Sequence, residues 1–180
     1  MKTNIVVVFS SHLGDEVNNE FVNHIHKTIG AKHKIVCYPN FNQFSLSEVY
    51  NKAIDEHNTD NTIMVLCHPD IIIETLNWGK ILLNHFNHTD FGIIGVAGSS
   101  FIGKQAVWWT DRSKMSGIVR HRDKLSTWVS EYSNEFNGVR PTVNVDGLFM
   151  AIDPDKIVKG FNENYGKFHY YDVTFCVDNY

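Results

Sequence analysis

A histidine and an aspartate, separated by a single proline, directly follow an apolar segment in the first half of the sequence. The segment TIMVLC, residues 62–67, is followed by His68, Pro69 and Asp70. Because proline has no N–H to donate to a central ladder, we expect a strand to end at Pro69 and to leave Asp70 free of the sheet. A carboxylate and an imidazole two residues apart suit a divalent metal that bridges a diphosphate. A lone aspartate at a strand end is as often a turn or capping residue, and that alternative stays open.

The elements around this segment predict where its side chains lie. Apolar runs predict three strands, and segments with helical periodicity separate them. In chain order these are a strand at 4–10, a helix at 15–30, a strand at 34–38, a helix at 45–58 and a strand at 62–67. This alternation is typical of a doubly wound α/β fold with a parallel sheet. The carboxyl ends of such strands share one edge, where ligands bind, so Ser10 and residues 38–40 should lie near Asp70.

Both predicted helices carry signals at their ends. Asp15 can cap the first helix, and Gly30 is placed to end it. Ser45 and Glu48, three residues apart, form a capping box at the start of the second helix.

The second half of the sequence is less regular. Residues 74–86 predict a helix, residues 91–98 a fourth strand and residues 170–180 a final helix. Residues 141–153 read as a strand that Asp146 and Gly147 interrupt. The stretch between them, residues 99–140, has no clear periodicity.

The composition is typical of a globular domain and excludes several classes. The 180 residues carry a formal net charge of -4, and the lysines and arginines are scattered, so we expect no nucleic-acid partner. No apolar run is long enough to cross a membrane. The three cysteines, Cys37, Cys67 and Cys176, form no CxxC pair and lie in apolar segments, which indicates buried thiols in a reducing compartment. We therefore expect a cytoplasmic protein.

Five segments, taken in chain order, carry a family resemblance across nearly the whole sequence. They are FSLSEVYNKAIDEHNTDNTIMVLCHPDI, FGIIGVAGS, the WW pair, NVDGLFMAID and FHYYDVTF. In these segments the sequence resembles glycosyltransferase family 2, whose sugar-nucleotide-dependent enzymes have the GT-A fold. It is most similar to the subgroup in which the third strand ends in a His-x-Asp variant of the Asp-x-Asp motif. The resemblance implies a mostly parallel central sheet flanked by helices, with a less regular C-terminal half.

The resemblance implies a donor site at the strand ends. Ser10 would line the pocket for the base and ribose of a nucleotide-sugar donor, expected to be a uridine diphosphate sugar, and Asn51 would approach the same donor. Asp70 matches the aspartate that binds Mn²⁺ or Mg²⁺ on the diphosphate. His68 occupies the first acidic position of the motif, a departure that leaves the ligand set of the metal open. His169 could reach the metal or the diphosphate, or it could be a loop histidine.

The resemblance also implies an acceptor site and a base. Trp109 would offer a flat face to a glycan or another hydroxyl acceptor, and Asp146 and Gly147 would lie near the transferred sugar. For Trp108 and Trp109, core packing of at least one ring is an equal alternative. Asp172 matches the carboxylate that acts as general base in inverting members, where it takes the proton of the attacking hydroxyl.

We predict one domain, residues 1–180, with two halves. Residues 1–98 would bind the nucleotide, and residues 99–180 would form the acceptor half. The sequence ends within a predicted helix, where related domains continue, so the acceptor side could be truncated or completed by a further domain or a partner chain.

Two other functions remain open. A metal-dependent phosphoester or diphosphate hydrolase could use His68 and Asp70, although such enzymes usually need more ligands. His12 and Asp15 are near the end of the first strand, but they form no tight acidic cluster there. A relative that binds a nucleotide sugar or glycan without turnover is the third possibility.

Overall fold

A five-stranded sheet with helices on both faces forms the centre of the protein, which is seen here as a computed structural model. The structure describes residues 1–13, 15–132 and 138–180, with the backbone alone for residues 15–17. The strands are β1 (Asn4–Ser11), β2 (His33–Pro39), β3 (Thr62–Cys67), β4 (Ile93–Gly95), β5 (Ala97–Ser99), β6 (Met115–Arg122), β7 (Thr127–Glu131), β8 (Asn144–Val145) and β9 (Phe149–Ile152). The helices are α1 (Asp15–Thr28), α2 (Leu46–His57), α3 (Trp78–His88) and α4 (Tyr171–Asp178). None of the helices in the described ranges combines the length and apolar character that crossing a membrane requires.

The central sheet is mostly parallel. Its strand order is β2-β1-β3-β9-β4, in which β1 pairs in parallel with both β2 and β3. Strand β9 runs antiparallel to its neighbours β3 and β4. This sheet confirms the predicted α/β architecture and is consistent with a GT-A-like fold.

Strand β1 shows how the sheet buries both of its faces. Along the strand, Val7 packs with α1 and α3 in one apolar cluster, whereas Val8 packs with α2 and α4 in a second cluster. Successive strand residues point to opposite faces, so a sheet covered on both sides needs an unbroken apolar run. This requirement explains why 4–10 and 62–67 are apolar throughout.

A second sheet holds the irregular half of the chain. Its order is β7-β6-β5-β8, and all of its pairs are antiparallel. The chain passes from this sheet back to the central one between β8 and β9, at residues 146–148. That crossing places Asp146 and Gly147 at the junction of the two sheets.

Three local predictions need correction, whereas the interruption predicted at Asp146 and Gly147 is present between β8 and β9. Residues 74–77 are not helical, because Asn77 has a left-handed φ of 58° and its N–H bonds Thr28 O at the end of α1. Residues 91–98 form two strands, since β4 pairs with β9 and β5 pairs with β6 and β8. The unpatterned stretch 99–140 contains the β6–β7 hairpin, whose mostly exposed residues gave no apolar alternation.

The helix-end predictions have different outcomes. The capping box of Ser45 and Glu48 is present at the start of α2, and Gly30 follows α1 with a φ of 64°. The predicted cap by Asp15 lies outside the described side chains.

Candidate active site

His68 is anchored to two other parts of the chain as soon as β3 ends. Its backbone N–H donates to Leu148 O at 3.1 Å, and its Nε2 lies 3.1 Å from the hydroxyl oxygen of Tyr171. The end of β3 is thereby joined to the crossing between the sheets and to the first turn of α4. The half-buried imidazole is held at the carboxyl edge of the central sheet.

Asp146 is fixed at the sheet junction by hydrogen bonds of its backbone and of both carboxylate oxygens. Its N–H donates to Ala97 O at 2.8 Å. One carboxylate oxygen accepts from Trp108 Nε1 at 2.9 Å, and the other accepts from Leu148 N at 2.8 Å. The carboxylate is therefore held in one orientation by an indole and by its own turn.

Gly147 joins this turn to α4. Its N–H donates to Asp172 Oδ2 at 2.9 Å. A Cβ atom at this position would collide with the hydroxyl and ring of Tyr171, which are buried beneath it. Glycine is required here because the tyrosine ring occupies the space of a side chain.

Asp172 is the second residue of α4 and is half-buried. Burial raises its pKa above the ordinary value of 3.8, and nearby Asp146 adds to the rise, while hydrogen bonds from the Gly147 and Val173 amides act in the opposite direction. A carboxylate with a raised pKa is a stronger proton acceptor than an exposed one. The environment of Asp172 therefore suits a general base.

The predicted donor residues are less closely connected. Asp70 lies two residues beyond His68, is exposed and has no partner among the described residues. His169 is also exposed, three residues before Asp172. Ser10 is half-buried at the end of β1, where it pairs in register with Tyr38. The structure leaves the roles of these three residues as predictions.

A comparison with protein families gives a match over most of the chain. The model of a glycosyltransferase-like family matches residues 5–179, which include all of the central sheet except Asn4, the crossing at residues 146–148 and the whole of α4. The chain belongs to this glycosyltransferase-like family. Membership indicates a glycosyltransferase kind of function. A search of curated proteins finds no match to the chain.

The described part of this glycosyltransferase-like chain contains no cluster of three or more histidine, cysteine, aspartate or glutamate side chains that could hold a metal. A Mg²⁺ ion, however, often takes only one or two carboxylates and completes its shell with substrate phosphates and water. The exposed, unpartnered Asp70 carboxylate fits that mode of binding, in which the donor diphosphate supplies most of the ligands.

Asn51 has a different set of contacts from the predicted one. Its amide accepts from Phe161 N at 2.7 Å and donates to Phe161 O and to Glu163 Oε1, at 2.9 and 2.7 Å. These bonds hold the loop that precedes α4 against α2. A donor contact by Asn51 stays a prediction. To make it, the Asn51 amide would have to bond the donor as well as this loop.

Of the two tryptophans, one is packed in the core and the other is exposed, as a platform for a sugar would require. Trp108 is buried against Ala97 and Met115, whereas Trp109 is 59% exposed. Their rings meet edge to face, with centroids 5.8 Å apart. Trp109 therefore presents an exposed apolar face, and its ring touches Trp108, which donates a hydrogen bond to Asp146.

An apolar cavity of about 440 Å³ lies elsewhere, between α3, β4, β5 and residues 138–142. None of the predicted site residues lines it. The linked residues His68, Asp146, Gly147 and Asp172 thus lie at the carboxyl end of β3 and not in this cavity.

Tyr171 lies between His68 and Gly147, yet no motif in the sequence marks it as a site residue. Its one sequence signal is an aromatic residue in the first helical turn, next to the predicted base. An aromatic residue at that position could equally indicate core packing, so only the structure distinguishes a core residue from a residue of the site.

Proposed function

We propose that this chain transfers a sugar from a nucleoside diphosphate donor, expected to be a uridine diphosphate sugar, to a hydroxyl of a glycan or similar acceptor. The family supports transferase chemistry. The observation that carries the finer proposal is the 2.9 Å hydrogen bond from Gly147 N to Asp172 Oδ2. This bond supports the proposal, because it joins Asp172 to the turn that contains Asp146 and that bonds His68 N through Leu148 O.

Asp172 acts as general base in an inverting displacement. The acceptor oxygen forms a bond to the anomeric carbon while the bond from that carbon to the diphosphate oxygen breaks. The acceptor proton passes to the Asp172 carboxylate, and the nucleoside diphosphate leaves. The raised pKa of Asp172 favours this proton transfer.

The donor side of the reaction depends on the residues after β3. Asp70 would hold Mn²⁺ or Mg²⁺ together with the donor diphosphate, and His169 is a second candidate ligand. When bound, the cation offsets the negative charge that develops on the departing diphosphate. Ser10 would contact the base and ribose.

The acceptor side combines a flat apolar face with a fixed carboxylate. Trp109 offers its exposed ring to a sugar, and Asp146 has both oxygens oriented by neighbouring donors. The hydrolase alternative is less favoured, because two-metal hydrolysis needs a cluster of ligands that the described residues do not assemble.

Substitution of the base tests this proposal. In Asp172→Asn we expect transfer from a uridine diphosphate sugar to fall by about 10²–10⁴-fold, the usual contribution of a general base. Donor binding, followed by thermal unfolding, should remain. Asp178→Asn is the matched control, since it removes the same charge from the far end of α4, where Asp178 pairs with Lys159 at 2.9 Å. Normal transfer by Asp172→Asn would contradict the proposal.

A further inference from the structure

The hydroxyl of Tyr171 has one hydrogen-bond partner among the described residues. Tyr171 is 4% exposed, and its ring lies 5.7 Å from the ring of Tyr50 and 6.2 Å from that of Phe161, measured between centroids. In this apolar setting its hydroxyl oxygen lies 3.1 Å from Nε2 of His68. A buried polar group needs a partner, so this contact accounts for the hydroxyl.

The direction of this hydrogen bond follows from the chemistry of the two groups. A tyrosine phenol has an ordinary pKa of about 10, so the buried Tyr171 oxygen carries its proton at neutral pH. That proton needs an acceptor, and Nε2 of His68 is the acceptor within reach in the described part of the chain. A neutral imidazole has one nitrogen that donates and one that accepts. If Nε2 accepts, Nδ1 carries the proton.

We propose that Tyr171 fixes His68 in the tautomer protonated at Nδ1, so that His68 donates a hydrogen bond to an anionic oxygen of the donor diphosphate and does not bind the metal. Nδ1 has no partner among the described residues, and the side chain is half-buried at the carboxyl edge of the sheet. An N–H group matches a phosphate oxygen, whereas a metal ligand needs a free lone pair, which Nδ1 lacks in this tautomer and Nε2 uses to accept from Tyr171. The identity of the acceptor as a diphosphate rests on the proposed function, but the tautomer does not.

Tyr171 is on this account a positioning residue that serves both sides of the site. Its hydroxyl orients His68, and its ring fills the space beside Gly147, whose N–H holds Asp172. The backbone bond from His68 N to Leu148 O gives the histidine a second anchor. One helical turn therefore sets the position of the candidate base and the orientation of the candidate diphosphate contact.

Nuclear magnetic resonance of metal-free protein labelled with ¹⁵N in its histidines tests the tautomer. The signals of His68 are assigned by their loss in His68→Gln. We expect Nδ1 to be protonated and Nε2 to be unprotonated in the wild type. Tyr171→Phe, which keeps the ring and removes the hydroxyl, should shift His68 toward the tautomer protonated at Nε2. Tyr50→Phe is the matched control, because it removes a neighbouring buried hydroxyl that has no partner among the described residues, and it should leave His68 unchanged.

Ligand additions to the same sample test the role of His68. Uridine diphosphate together with Mg²⁺ should shift the Nδ1 signal of His68, and Tyr171→Phe should bind this nucleotide several-fold more weakly. Mg²⁺ alone should leave His68 unchanged. A wild-type His68 protonated at Nε2, an unchanged tautomer in Tyr171→Phe, or loss of the Nδ1 proton on adding Mg²⁺ would each overturn the proposal. Absence of any nucleotide binding would overturn the diphosphate contact and the proposed donor, while the Tyr171–His68 pairing would be judged by the tautomer alone.

Discussion

Gly147 is the residue of the candidate site with the least space for a larger side chain. The hydroxyl and ring of Tyr171 occupy the space of a side chain at this position, and both residues are buried. Neither the turn nor the tyrosine can move without disturbing the hydrogen bond that orients Asp172. The VDG segment was predicted from sequence by resemblance, but the physical reason for its glycine is visible only where the chain folds back on Tyr171.

For Gly147→Ala we expect a loss of about 1–3 kcal/mol in the free energy of unfolding, which is the usual cost of overpacking a core. Transfer should fall as well, since Asp172 loses its alignment. Chemical denaturation measures the first effect. Gly92→Ala is the control, because the nearest atom to its new Cβ would be Lys156 Cβ at an ordinary 3.5 Å. Equal stability of the two variants would show that the ring of Tyr171 moves aside at little cost in free energy.

The raised pKa of Asp172 predicts a pH dependence of stability. A carboxyl whose pKa is higher in the folded than in the unfolded state stabilises the fold below the unfolded pKa, and this contribution is lost as the pH rises through the folded pKa. The free energy of unfolding of the wild type, relative to Asp172→Asn, should therefore decrease as the pH rises above 3.8, the ordinary value for this group. Denaturation of both proteins across that range measures the difference, and a difference that increases with pH would contradict the assignment. The rate of sugar transfer should instead increase as the pH rises, because Asp172 must be ionised to accept the proton.

At the scale of elements, α2 shows which local features a sequence specifies well. The Ser45 hydroxyl accepts from Glu48 N at 3.2 Å, and the Glu48 carboxylate accepts from Ser45 N at 2.6 Å. Both bonds join residues three apart, so residue types and spacing suffice to predict them. The β6–β7 hairpin was not predicted, because its strands pair with each other and cover little of the core.

Two serines at the start of α2 provide a paired test of this interpretation. Ser45→Ala removes the cap and should lower the free energy of unfolding by about 0.5–2 kcal/mol. Ser47→Ala removes a buried hydroxyl that has no partner among the described residues, so it should be neutral or stabilising. Thermal or chemical unfolding of the two variants measures both effects. A larger loss for Ser47→Ala would mean that its hydroxyl has a partner in solution.

At the scale of the whole molecule, the parallel strands of the central sheet could be predicted from the sequence, but the antiparallel strand β9 could not. Strands β1, β2 and β3 alternate with helices and follow the apolar pattern of a buried parallel sheet. Strand β9 enters the sheet antiparallel from a distant part of the chain, and this pairing brings Asp146 and Gly147 beside His68. Such a long-range pairing leaves no local pattern. The sequence alone therefore predicted His68 and Asp172 as site residues without the contacts that join them.

The donor site at the carboxyl edge is the central claim, and thermal unfolding with uridine diphosphate sugars, with and without Mn²⁺, tests it most directly. A ligand at about 100 times its dissociation constant adds roughly 2.7 kcal/mol to the stability of the folded state. For a domain of this size, each kcal/mol raises the midpoint by about 2–4 °C. We predict a rise that requires both the nucleotide and Mn²⁺ and that is absent in Asp70→Ala. Stabilisation by the metal alone, with no response to any nucleotide, would contradict the transferase account and favour a hydrolase.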